Sequence, residues 1–122
     1  GIVTLAATDS YRLAVAELPI PSTDITDFSA IVPGKTFDEV CRLALSSDSI
    51  SVGFSENQVI ITFGETVFVS RKIEGTYPNY KQLIPADHEV SIQMDTKALI
   101  TSIKRVAILA QSHTPIRFQF SA

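Results

Sequence analysis

The sequence has 122 residues, 45% of them hydrophobic and 19% charged, with 10 basic and 13 acidic side chains and a net charge of −3. That length holds one domain, or one domain and part of another, and the composition excludes a disordered chain. The mild acidity excludes a protein that grips nucleic acid through its bulk charge, so any phosphate contact must be local.

No apolar run approaches the about 18 residues of a membrane span. The start, GIVTLAATDS, has no basic region followed by a long apolar stretch, so it does not read as a signal peptide. Cys41 is the one cysteine, which forbids an internal disulfide and fits a reducing cytosol. A cytoplasmic protein is the expectation.

Residues 2–7 (IVTLAA) are apolar and rich in β-branched types, which predicts a buried strand. The polar stretch 8–11 (TDSY) is a turn, and 12–18 (RLAVAEL) continues as the second strand of a hairpin. PIPSTDITD, 19–27, with two prolines, is a loop. SAIV, 29–32, is a short strand. Pro33 suits the first position of a helix, where its missing N–H costs nothing. On a helical wheel of 33–46, Phe37, Val40, Cys41 and Ala44 share one side, while Lys35, Asp38, Glu39, Arg42 and Ser46 share the other.

Three strands follow, 49–54, 58–63 and 66–73, separated by the turn signals SEN and GE. That spacing implies an antiparallel meander. Residues 74–87 form a loop with Gly75, Pro78 and Pro85. EVSIQM, 89–94, alternates Val90, Ile92 and Met94 on one face and predicts a strand. Asp95 is placed to cap a helix over 96–110, with Leu99, Ile103, Val106 and Ala110 inward and Lys97, Thr101, Lys104 and Arg105 outward. QSHTP, 111–115, is a turn, and 116–121 alternates Ile116, Phe118 and Phe120 as a last strand.

A weak repeat runs through this order. Strand, Lys, helix, Arg, Ala, strand occurs around 29–54 with Lys35, Arg42 and Ala44, and again around 89–121 with Lys97, Arg105 and Ala107. The last strand has no partner strand after it and the first begins without an obvious preceding element, so the chain reads as a segment of something longer.

No catalytic constellation emerges. Gly34-Lys35-Thr36 matches the end of a phosphate-binding loop, but that motif needs a glycine where Ser29 stands, and Pro33 removes a required amide. His88 and His113 have no Cys or His at metal-ligand spacing and read as solvated loop residues. Cys41 reads as a core residue on the apolar side of its helix, not a nucleophile. No serine lies in a G-x-S-x-G motif. Asp24, Asp27, Asp38 and Glu39 suggest no cleft. Lys97, Lys104 and Arg105 form a basic face opposed only by Asp95; it is either a solvated surface or a loose contact for phosphates. Lys35 and Arg42 make a weaker face, offset by Asp38 and Glu39.

Three stretches resemble the bacterial sliding clamp, the β subunit of the DNA polymerase III holoenzyme. TDSYRLAV, 8–15, resembles that family's TDGHRLAV-type turn. SRKIEGTYPNYKQLIP, 70–85, resembles its S-[RK]-L-[IV]-[ED]-G-x-[FY]-P-[DN]-Y-x-x-[VL]-[IL]-P segment, and ALITSIKRVAILA, 98–110, resembles its ALKRVAILA helix. The three occur in the family's order and at about its spacing.

The resemblance implies an α+β processivity fold, an antiparallel sheet with amphipathic helices on one face. It implies three similar domains of two βαβββ units each. Residues 1–85 would be most of the middle domain, lacking its first strand and helix, and 86–122 the opening β-α-β of the third. It further implies a head-to-tail dimeric ring around duplex DNA that holds the replicative polymerase and catalyses nothing, with no cofactor, metal or membrane. The DNA-facing residues would be Lys97, Lys104 and Arg105, with Lys35 and Arg42.

Partners in this family, the polymerase and the clamp loader among them, carry a peptide of a glutamine followed by apolar residues. It docks in a groove between the middle and third domains. Carried onto this sequence, the groove residues would be Thr8, Ser10, Tyr11, Arg12 and Leu13, with Pro78, Gln82 and Leu83. Leu13, Pro78 and Leu83 can anchor a Leu or Phe, and Arg12 and Thr8 can meet the peptide's polar groups. Ser10 stands where glycine is common, Tyr11 where histidine is common, and Gln82 where a basic residue is common. The alternative is a free-standing α+β module that keeps the groove and encircles nothing. A small enzyme is disfavoured by the missing constellation.

Overall fold

The computed structural model describes residues 1–21, 27–110 and 114–121. Asp24 and His113, with most of the expected loop at 19–27 and most of the turn at 111–115, lie outside the described residues. The chain divides into two compact units, Gly1–Ile84 and Pro85–Ala122.

The first unit opens with an antiparallel hairpin of β1 (Ile2–Thr8) and β2 (Leu13–Pro19). The register runs from Ile2 opposite Pro19 to Thr8 opposite Leu13, so Asp9–Arg12 is the connecting loop. Helix α1 spans Gly34–Leu43, with Pro33 one position before it and not inside it. An antiparallel meander follows, β3 (Ser51–Phe54), β4 (Gln58–Phe63) and β5 (Thr66–Arg71), with β4 in the centre. Gly64, at φ +54, supplies the left-handed backbone of the two-residue β4–β5 turn.

The core lies between α1 and this sheet. Val59, Ile61 and Phe63 alternate inward from β4, Val40 and Ala44 descend from α1, and Val32 and Phe68 pack around them. Thr36 is buried too. Its hydroxyl lies 2.8 Å from that of Ser70 on β5, so the one buried polar side chain among the described residues is satisfied.

Further expectations in this unit need correction. β1, expected as a buried strand, has no buried residue, with Ile2 67% and Leu5 49% exposed, because its two-stranded sheet carries none of the core cluster. Cys41 is exposed, not in the core. The inward stripe of α1 is Thr36, Val40 and Ala44, with Phe37 half-buried. At about 100° per residue Cys41 stands one step beyond Val40, on the flank of that stripe. The strand expected at 29–32 is a single bridge, Ile31 to Ile73, with the Ile73 N–H donating to the Ile31 carbonyl at 2.8 Å. Pro33 has no N–H to extend it, and the helix begins directly after.

The second unit holds α2, Thr96–Ala107. Asp95 caps it as expected, its Oδ1 accepting the Ala98 N–H at 2.8 Å. The helix stops three residues short of Ala110. Leu99 and Ile103 are half-buried, whereas Val106 is exposed. The strands expected at 89–94 and 116–121 do not form among the described residues. Their alternation is present, but a strand needs a hydrogen-bonded neighbour, and neither segment pairs with the other.

Candidate functional site

The β1–β2 loop is organised by one carboxylate. Asp9 Oδ1 accepts the backbone N–H of Tyr11 and that of Arg12, each at 3.1 Å, and Oδ2 accepts Arg12 Nε at 2.8 Å. This is an Asx-type turn, in which a short side chain stands in for the backbone. The Tyr11 amide most of all, and then the Arg12 guanidinium, hold the Asp9 carboxyl below the usual aspartate range. Thr8 Oγ1 donates to the Arg12 carbonyl at 2.9 Å and accepts the Ser10 N–H at 3.4 Å. Ser10 has φ +73, a left-handed conformation for which glycine is the default residue. Tyr11, at the tip, is 97% exposed.

Thr8 and Arg12 are therefore engaged inside the turn. Arg12 uses Nε on Asp9, which leaves the N–H groups of its two terminal nitrogens outside that bond. Leu13 begins β2 and is half-buried.

The second segment is anchored by Tyr77. Its hydroxyl donates to the Ala6 carbonyl on β1 at 3.0 Å, across 71 residues of sequence. The Tyr77 and Tyr80 rings meet edge to face at 6.4 Å. The Tyr80 N–H donates to the Pro78 carbonyl at 2.7 Å and the Gln82 N–H to that of Asn79 at 3.2 Å, forming a single 3-10 turn, Tyr80–Leu83. Pro78, Gln82 and Leu83 are exposed. All eight expected groove residues thus lie in the first unit: Thr8 and Leu13 are the paired strand ends of the hairpin, Ser10, Tyr11 and Arg12 lie on the loop between them, and Pro78, Gln82 and Leu83 follow Tyr77, which bonds to Ala6 on β1. A hollow of about 1180 Å³ lies elsewhere in this unit, between Ser29–Ile31, Ser55–Gln58 and Arg71–Tyr77, and none of the eight lines it.

The expected DNA-facing residues fall on two helices. Lys97, Lys104 and Arg105 are exposed on α2 and make no ion pair among the described residues. Lys104 and Arg105 occupy the last turn, where the helix dipole favours cations. Lys35 and Arg42 are exposed on α1, where Arg42 is paired with Glu39 at 2.6 Å.

Sequence reasoning missed Asp9 and Tyr77. An Asx-turn signal marked the first, since Asp followed by Ser commonly opens such a turn. No local signal marked the second, whose partner is a backbone carbonyl far away in the chain.

The family model described as DNA polymerase III beta subunit, central domain, matches residues 2–79. The chain belongs to the bacterial DNA polymerase III beta subunit family. It is 40% identical over 119 residues to the beta sliding clamp of a Synechocystis species, a match covering 86% of this chain and 30% of that protein. It is 33% identical to the beta sliding clamp of Synechococcus elongatus, covering 92% of this chain and 31% of that protein. The beta sliding clamp of Halalkalibacterium halodurans is 31% identical, with 91% and 30% covered. The chain thus spans less than a third of the length of these sliding-clamp relatives. No helix among the described residues is long and apolar enough to cross a membrane.

Proposed function

We propose that this chain is the central part of a cytoplasmic DNA polymerase processivity clamp. Residues 1–85 supply most of the middle domain and residues 86–122 the opening of the third. The complete protein forms a head-to-tail dimeric ring around duplex DNA, tethers the replicative polymerase, and performs no catalysis. The observation that carries this reading is the match of residues 2–79 to the family's central domain.

A ring that slides must be topologically secure and energetically weak on DNA. A few long basic side chains meeting phosphates through water suffice, within an otherwise acidic protein. Lys97, Lys104 and Arg105 have that character: exposed, free of ion pairs among the described residues, and on the far side of α2 from Leu99. Lys35 and Arg42 contribute less, because Glu39 already neutralises Arg42.

The partner peptide binds across the Thr8–Leu13 loop and the Pro78–Leu83 segment. Leu13, Pro78 and Leu83 offer apolar surface for its last side chains, and the terminal nitrogens of Arg12 offer donors for its polar groups. Ser10, Tyr11 and Gln82 shape the rim.

The decisive experiment uses the full-length parent protein loaded onto a nicked circular plasmid. A clamp stays on the circle through gel filtration in moderate salt and leaves once the plasmid is linearised. Equal loss from circular and linear DNA overturns the reading in favour of a module that encircles nothing.

A further inference from the structure

Tyr77 stands between the two segments proposed to form the peptide groove. The hairpin Ile2–Pro19 is joined to the rest of its unit by one hydrogen bond among the described residues, from the Tyr77 hydroxyl to the Ala6 carbonyl. That bond is partly buried, so water competes for it poorly.

Restraint passes from it in both directions. Pro78 follows Tyr77 directly and its ring fixes its own φ, which leaves little freedom between the anchor and the first groove residue. The Tyr80 ring rests edge-on against Tyr77, and the Tyr80 amide bonds back to Pro78, so the restraint reaches the turn that carries Gln82 and Leu83. On the other side, the ladder from Ala6 opposite Val15 to Thr8 opposite Leu13 carries it to the organised loop.

We infer that Tyr77 is a positioning residue for the peptide groove, its hydroxyl holding residues 78–83 against the hairpin in the arrangement that binds. This rests on the reading above that these loops bind a partner peptide. Tyr77 acts through Pro78 and Leu83. Without the hydroxyl the segment samples other arrangements, and apparent affinity falls with the fraction that remains competent.

Tyr77→Phe in the full-length protein removes one oxygen and keeps the ring that meets Tyr80. A fluorescent peptide with a glutamine followed by leucine and phenylalanine binds the variant roughly three- to tenfold more weakly, the range expected for removal of one hydrogen bond. Amide exchange at Tyr80, Gln82 and the 8–13 loop accelerates, exchange in β3–β5 does not, and saturating peptide restores the protection. Leu83→Ala, run alongside, tests the groove itself. If Leu83→Ala weakens the peptide and Tyr77→Phe does not, the positioning role is overturned and the groove stands. Faster exchange throughout the unit also overturns it, because that marks a general structural role. If the parent itself does not bind the peptide, the groove reading fails and takes this inference with it.

Discussion

Arg12 folds back on Asp9, with Nε 2.8 Å from Oδ2, while its own backbone N–H donates to Oδ1 at 3.1 Å. Asp9 therefore closes the loop more strongly as a carboxylate than as the neutral acid. Its folded pKa lies below the ordinary aspartate value, which the unfolded chain retains. Above that ordinary value both states are ionised and the stabilisation is complete. As pH falls through it, the unfolded state takes up a proton first, and the contribution is gone once pH passes below the folded pKa. Carbon-detected NMR of the Asp9 carboxyl should show a midpoint below that of a short unfolded peptide with the same loop sequence. Arg12→Ala should raise the midpoint only in part, because the Tyr11 amide is the larger cause. A midpoint at or above the peptide's rules out the carboxylate-centred loop.

The core predicts a sharp contrast between neighbouring strands. Ile61 is 1% exposed at the centre of β4, whereas Val67 on β5 is 63% exposed. Ile61→Ala should cost about 2–5 kcal/mol, the range for truncating a buried aliphatic side chain. Val67→Ala should cost less than about 0.5 kcal/mol, as surface changes do. Urea unfolding of the full-length variants measures both. Comparable costs at the two positions would mean that β5 buries a face left open here.

The α2 cations make a second contrast. Lys97→Glu with Lys104→Glu in the complete ring should lower retention on circular DNA and leave peptide binding unchanged. The slope of log affinity against log salt should become shallower by about 0.9 for each phosphate that a lysine no longer neutralises. Retention on nicked plasmid across a salt series gives that slope. Equal retention of variant and parent at low salt, where phosphate attraction is strongest, counts against a DNA-facing α2.

Local periodicity made the first unit legible. The 49–73 meander follows from two-residue alternation broken at Ser55–Asn57 and at Gly64, and α1 from its three-to-four-residue apolar spacing. Cys41 was misplaced because a wheel assigns a side and not its edge, and Thr36, a polar residue, occupies a place in the buried stripe. The alternation at 89–94 and 116–121 names an apolar face but no neighbour, and without a neighbour no ladder formed. The groove residues were legible only through the family resemblance, since exposed loop residues carry no periodic signal. The bond from Tyr77 to Ala6 was legible in neither way. It depends on how a loop residue meets a strand 71 residues away.

Pro78 and Leu83 provide the most direct test of the groove. Both are exposed on the segment that follows Tyr77, with Leu83 60% accessible at the end of its 3-10 turn. An exposed leucine contributes little to folding, so its truncation isolates binding from stability. Leu83→Ala or Pro78→Ala in the full-length protein should weaken a glutamine-plus-apolar peptide by roughly tenfold, equivalent to about 1–2 kcal/mol for the removal of a pocket wall. Gln82→Ala, between them, should have a smaller effect, because a rim residue stays open to solvent when the peptide is bound. Fluorescence polarisation reads the affinities, and circular dichroism checks that each variant stays folded. The full-length protein is required, since the chain covers only 30% of its Synechocystis relative. If folded Leu83→Ala and Pro78→Ala proteins bind the peptide as tightly as the parent, the partner peptide docks somewhere other than on these two loops.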